Sequence, residues 1–355
     1  MSAHKNQHYV PKHYFRWFSK DPKRINLIRK ATGQVVIGAG VRGQSARENY
    51  HGDRDLEDRV TLIENRYRST LTLVRRARSL AGLRSNDQHA LRAAVLFQRA
   101  RTLIQRDKFM KSVEGMIAEA YKYGPVSPQL EAKFRRSLSD NRRFAQKFQV
   151  RQLALADVDA VGISDLRLVL LVNRTDLPFI FSDAPVVFYN QYAREIHIRG
   201  VLGHFSPGLQ IFYPIDSSLL LMFYDAVRYV LEPEEQGVIT LDGEDDIAAL
   251  NSLQLHNARG VAYFGDERHA PYVRRLWQRE REAMIVPGPK TQSAPGFNSA
   301  TGESIGDVIH TFEPQLPFEL ELSFVTCSRM DKAEHLSKTV RSDDLVAYLR
   351  SLGRA

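Results

Sequence analysis

Pro178-Phe179-Ile180-Phe181-Ser182-Asp183-Ala184-Pro185-Val186-Val187 brings two apolar runs together at an acid followed, one residue on, by a proline. Leu177 to Phe181 reads as one buried strand and Val186 to Tyr189 as the next, so Ser182 and Asp183 fall at a strand end where backbone pairing is interrupted. Pro185 has no N–H to give a ladder and marks a break or bulge. An acid fixed at such a junction serves as a ligand, a general base, an orienter, or simply an acceptor for the backbone N–H groups of a turn.

Further short apolar runs surround the junction, at Leu168 to Val172, Gln210 to Pro214, Leu219 to Tyr224 and Gly237 to Leu241. They read as strands of one sheet. A helix is expected from Glu244 to Asn257, started by the acidic cluster Asp242 to Asp246, with Asn251 and Gln254 facing the sheet. A strand at Gly260 to Phe264 and a charged helix from Glu267 to Ala283 follow. Pro287 to Pro317, rich in Pro, Gly and Ser, reads as a mobile loop before a last strand, Glu319 to Thr326, and an amphipathic helix, Asp343 to Leu352.

Upstream of residue 160 the periodicity is helical. One helix is expected from about Asp55 to Leu80, with Leu56, Val60, Ile63, Tyr67, Leu71 and Val74 in one stripe. Glu57 and Glu64 edge that stripe about 10 Å apart along the axis, too far to share one metal ion easily. A second helix, capped by Asp87 and running to about Tyr123, is apolar nearly all round and carries a polar strip of Gln98, Arg101, Thr102 and Gln105. A buried arginine needs a carboxylate or a bound anion, so Arg101 is either an ion-pair member or an anion clamp. A third helical segment, from about Gln129 to Ala156 and broken near Ser139 to Asn141, carries Arg135, Arg136, Arg142, Arg143, Lys147 and Arg151. Ahead of these helices, Arg24 to Arg29 and Gly33 to Ile37 form a hairpin. Asn6 to Phe18 crowds aromatics around two histidines, with a short helix after Pro11 and His8 and Tyr9 in the loop before it. The fold class is therefore α+β: an N-terminal half (1–160) of arm, hairpin and basic helices packed against a mostly antiparallel or mixed β-sheet in the C-terminal half (161–355).

Among the 355 residues the formal charge of +9 is unevenly divided. Met1 to Ala156 holds 32 Lys and Arg against 13 Asp and Glu, a net of +19, whereas Asp157 to Ala355 holds 18 against 28, a net of −10. That asymmetry points to a polyanionic partner, nucleic acid first, or to two halves that neutralise each other. No apolar run approaches the roughly 18 residues that span a bilayer, so no membrane partner is expected. A single cysteine, Cys327, rules out an intramolecular disulfide and a cysteine-built zinc site, and fits a reducing cytoplasm.

Gln7-His8-Tyr9-Val10-Pro11 and Phe179-Ile180-Phe181-Ser182-Asp183-Ala184-Pro185 resemble the two ordered motifs of the DUF4238 family. The likeness continues through Leu62-Ile63-Glu64, Gln98-Arg99-Ala100-Arg101, Tyr213-Pro214-Ile215 and Leu250-Asn251-Ser252-Leu253-Gln254. Phe181 and Ala100 depart from the threonines typical of that family, and the insertion before Glu319 is atypical. The resemblance implies no reaction, since the family is a domain of unknown function.

The leading expectation is a nucleic-acid phosphodiester hydrolase, a nuclease. Asp183, with Glu64, would hold a divalent ion such as Mg²⁺ or Mn²⁺ or activate water, His8 would transfer a proton, and Arg101 would stabilise charge on phosphate. A metal-independent version needs only His8 and Arg101. Gln7, Tyr9, Gln98, Ser182, Asn251 and Gln254 would support the site, and the basic helix would track the phosphates. Two other readings stand beside it: a non-catalytic nucleic-acid-binding or protein-interaction module, and an enzyme for a small anionic, nucleotide-like substrate. All three depend on the amino-terminal imidazole meeting the acid at the strand junction.

Overall fold

The structure, a computed structural model, describes residues 6–51, 54–124, 127–129, 131–132, 141–232, 236–285, 287–297, 303–328 and 340–351. In chain order, β1 (Asn6–His8) and α1 (Lys12–Phe18) precede the hairpin β2 (Arg24–Arg29) and β3 (Val35–Gly40), and β4 (Ala46–Glu48) returns to pair with β1. His8 thus lies in a strand, not in a loop. The hairpin turn needs Gly33, whose φ is +68° and whose missing Cβ would meet the Trp277 ring at 2.5 Å.

Helix α2 (Arg54–Ala77) buries Val60, Tyr67, Leu71 and Val74 at helical spacing. The expected second helix is two helices, α3 (Ser85–Ala100) and α4 (Leu103–Tyr121), interrupted at Arg101 and Thr102. The break is stable because its carbonyls find side-chain donors: Gln149 Nε2 donates to Ala100 O and Thr102 O at 2.8 and 3.2 Å, and Tyr50 Oη donates to Arg101 O at 2.8 Å. Asp87 sits one turn inside α3 and accepts from the Arg84 N–H at 3.0 Å, so it is not itself the cap residue. The Asn141–Ala154 helix follows.

Beyond residue 160 the main sheet is five-stranded and mixed, in the order β11 (Val238–Leu241), β5 (Arg167–Asn173), β9 (Leu219–Tyr224), β8 (Gln210–Asp216), β7 (Val187–Tyr189). Only β11 and β5 are parallel. A second, antiparallel sheet runs β3, β2, β12 (Val261–Phe264), β6 (Phe181–Ser182). The expectation of one sheet in one half is therefore corrected. Helices and strands are interspersed, and the amino-terminal hairpin is completed by strands from far along the chain. Residues of both halves share one core, in which Phe181 lies against Tyr14, Phe15, Phe18 and Tyr263.

Two further corrections concern strands. Leu177 to Ile180 does not pair as a strand: helix Glu244–Asn257 replaces a neighbouring strand with side chains one turn apart. Asn251 Oδ1 accepts from Ile180 N at 2.9 Å and its Nδ2 donates to Pro178 O at 2.8 Å; Gln254 accepts from Ser182 N at 3.0 Å, and Asn257 donates to Ala184 O at 2.6 Å. The segment expected to be a mobile loop forms an antiparallel hairpin, β13 (Lys290–Phe297) with β14 (Ser304–Phe312), laid on α4.

Candidate functional site

Arg101 sits at the interruption between α3 and α4, 2% exposed, and the break in the helix aims its side chain at α2 and β1. Its Nη1 donates to Glu64 Oε2 at 2.9 Å and its Nη2 to the His8 carbonyl at 2.6 Å. Glu64 also takes His13 Nδ1 at 3.0 Å, from α1. His51, fully buried in the stretch ahead of α2, has its backbone N–H on Gln7 Oε1 at 2.6 Å and its Nε2 3.9 Å from Glu57 Oε2, two helical turns before Glu64. Gln98 donates to the Tyr9 carbonyl at 3.1 Å, which fixes the arm against α3. Three histidines and two glutamates from α1, α2, β1 and the His51 stretch thus gather around one arginine.

Charge state separates these groups. Burial pushes Glu64 up, but Arg101 and His13 outweigh it and hold the carboxyl down at about 2. Glu57 is moved the other way, up, by burial, with the nearby Glu64 and Asp58 charges adding to it against Arg101 and Lys12. His8 is lowered to about 4 by burial and then by Lys12, and His51 to about 3 by burial and then by Arg101. Both imidazoles are neutral at physiological pH. His13 is lowered as well, chiefly by burial, against the pull of Glu64. Four buried polar atoms of the cluster, His8 Nε2, His51 Nδ1, Glu57 Oε2 and Arg101 Nε, have no hydrogen-bond partner among the described residues. Each such atom costs on the order of 1 to 3 kcal/mol, a price that folds avoid unless the group has another use.

Asp183 stands apart from this cluster. Its Oδ1 accepts from Arg259 N at 2.8 Å and its Oδ2 from Gly260 N at 3.0 Å, while its own N–H joins Val261 O at 3.0 Å. Burial lifts it to about 6 in spite of those backbone bonds. Its charged and phenolic surroundings are Arg259, Lys30, Tyr9 and Tyr263, whereas those of His8 are Lys12, Arg101 and Glu64. No hydrogen bond or ion pair joins His8 to Asp183 among the described residues; Asp183 closes the turn before β12, with Tyr9 between the two groups of residues. Asp183 and Glu64 keep different partners, backbone N–H groups for the one and Arg101 with His13 for the other. Among the described residues no group of three or more His, Cys, Asp or Glu is arranged to hold a metal.

The supporting residues divide in the same way. Gln7, Tyr9 and Gln98 belong to the arginine cluster, and Ser182, Asn251 and Gln254 to the ladder that holds the Asp183 segment. Of the basic residues, Arg143, Lys147 and Arg151 are exposed on the Asn141–Ala154 helix; Arg142 lies on that helix, its side chain outside the described residues, as are Arg135 and Arg136 altogether. Sequence reasoning missed His51 and set Glu57 aside. The available signal was a histidine just ahead of a helix that carries Glu57 and Glu64 two turns apart.

The fold and cluster define an α+β protein with a buried arginine ringed by neutral imidazoles and carboxyls of divided charge. A family model described as a protein of unknown function, DUF4238, matches residues 6–268, and the chain belongs to that family. No curated protein and no solved structure matches it. Among the described residues no helix is long and apolar enough to cross a membrane.

Proposed function

We propose that the protein is a nuclease that cleaves RNA without needing a metal ion, using the cluster around Arg101 as a general acid–base site. The observation that supports this reading is a cluster about Arg101 that holds both a neutral imidazole, His8, and a carboxyl whose affinity for a proton is raised, Glu57, each with a buried polar atom that makes no hydrogen bond among the described residues. Groups whose environments drive their titrations apart supply the base and the acid of one reaction. His8 Nε2 takes the proton of a 2′-hydroxyl, whose oxygen bonds to phosphorus. The P–O5′ bond breaks, and Glu57 gives its proton to the departing 5′-oxygen, leaving a 2′,3′-cyclic phosphate. Glu64 stays ionised and holds Arg101 and His13 in place. The exposed Lys12 and Arg68, close enough to act on His8 and His13, meet the incoming phosphates, and the exposed cations of the Asn141–Ala154 helix extend that track.

Labelled RNA and a DNA of the same sequence, incubated with the purified protein in EDTA and in Mg²⁺ or Mn²⁺, test the proposal. RNA cut in EDTA to cyclic-phosphate ends, with DNA intact, is the expected outcome. Loss of neither product in His8→Gln nor in Glu57→Gln, or no cleavage under any condition, overturns it. Binding without cleavage then leaves a nucleic-acid-binding module whose arginine only ties the arm to the helices.

A further inference from the structure

A cleft of about 930 Å³ lies between the end of α3, the loop 198–204 and the hairpin β13–β14. It shares none of its lining with the arginine cluster. Gln292 Nε2 donates to Ile198 O at 2.6 Å, and Gly200 sits so close to Phe312 that a Cβ there would come within 2.8 Å, so loop and hairpin are fastened into one wall. Leu202, Ala294 and Phe312 supply apolar surface. Small-molecule sites typically span roughly 300 to 1,000 Å³ with a few convergent polar groups, and this cleft has that form.

Its charge is unbalanced. Glu313 in its lining receives both Arg99 Nη2, at 2.7 Å, and Lys108 Nζ, the lysine reaching the carboxylate from the neighbouring pocket beside the Asn141–Ala154 helix. Two cations on one carboxylate leave a positive charge in surroundings where Lys108 and Arg99 are largely removed from water. The Arg99 guanidinium also lies 4.1 Å over the Phe188 ring, which fixes its plane. Beside it, the half-buried His204 touches that same ring; its carbonyl accepts from Arg341 Nη1 at 2.8 Å, while its imidazole makes no hydrogen bond among the described residues. Burial, then Arg99 and Arg341, push its titration down to about 4, which leaves an uncharged imidazole facing the cleft. His310 and Thr311 on β14 present exposed polar groups at the mouth.

We propose that this cleft binds a phosphate-bearing ligand of nucleotide size, at a site separate from the acid–base cluster. A phosphate group offsets the surplus cation at Glu313, accepts from guanidinium and imidazole together, and favours the protonated form of His204, making it a charge-assisted donor. The apolar wall covers the remainder of the ligand. The phosphate comes either from a free mononucleotide or from the end of a nucleic-acid strand.

Calorimetric titration of the full chain with AMP, with inorganic phosphate and with a 5′-phosphorylated oligonucleotide tests this. The variant is His310→Glu with Thr311→Glu, two exposed strand positions that leave the core alone, its melting temperature checked against wild type. Binding of AMP or of the phosphorylated strand, weakened at least tenfold in the variant and retained in Glu57→Gln, supports the site. A preference for AMP assigns the free nucleotide, and a preference for the oligonucleotide assigns the strand end. No binding of any of the three, or wild-type affinity in the double variant, overturns the proposal.

Discussion

Asp183, buried, and Glu64, half-buried, are both acids beside the amino-terminal arm, yet they are used in opposite ways. Asp183 is held by backbone: two N–H groups of the turn before β12 occupy one site on each of its oxygens, and no side-chain cation is its direct partner among the described residues. Glu64 is surrounded by side chains, Arg101 and His13, brought from separate helices. A carboxylate that ties down the backbone of a distant turn holds the chain in shape. One that organises an arginine and leaves polar atoms without partners around it prepares a place for chemistry. The difference lies in what each acid leaves unsatisfied nearby, since both are acids within apolar sequence.

The largest expected effect is that of Arg101→Ala. It strands Glu64 and the His8 carbonyl in the interior and costs about 4 kcal/mol, read by chemical denaturation. A loss below 1 kcal/mol breaks the view of Arg101 as the centre of the cluster. Asp183→Ala removes the acceptor of two part-buried N–H groups and costs about 2 kcal/mol, while cleavage per folded molecule stays at the wild-type level. The two acids also differ in the sign of their pH dependence. Asp183 titrates near 6 in the fold against an ordinary 3.8, so its contribution is complete below pH 3.8 and is lost as pH rises through 6. Glu64 is depressed from 4.5 to about 2, so its contribution is present above pH 4.5 and lost as pH falls through 2. Denaturation curves from pH 2 to 7 should show Asp183→Asn flattening the upper slope and Glu64→Gln the lower one; the same variant flattening both would merge the two regions.

Smaller effects sharpen the chemical side of the contrast. Glu57→Gln keeps shape and removes only the proton, so RNA cleavage should fall about 100-fold with the melting temperature unchanged. Reversing Arg143, Lys147 and Arg151 together to Glu touches the exposed face of one helix. It should weaken RNA binding about tenfold and lower the slope of log affinity against log salt by about 3, with folding unaffected. A salt slope equal to wild type would take that helix out of the RNA track.

The family motifs were legible in sequence, and so were helix α2, the hairpin β2–β3, the strands of the main sheet and the Glu244–Asn257 helix, because each is written in local periodicity. The site was half legible. His8, Glu64, Gln98 and Arg101 stood out as polar residues within or beside apolar stripes, and they do come together. Asp183 stood out for the same reason and went elsewhere. Nothing local could have separated them, since its partners, Arg259 and Gly260, lie 76 and 77 residues downstream.

By itself the sequence determined the mixed α+β class, the family, the basic amino-terminal half and most of the polar residues of the site. Three things were decided by tertiary structure alone. The α3–α4 helix breaks at Arg101 because Gln149 and Tyr50 arrive to satisfy its freed carbonyls. The strand expected before Asp183 is replaced by a ladder of helix side chains, and His51 and Glu57, instead of Asp183, join the cluster. Periodicity reports which face of an element is buried, but the partner of a buried polar group is set by which distant segment is packed opposite it.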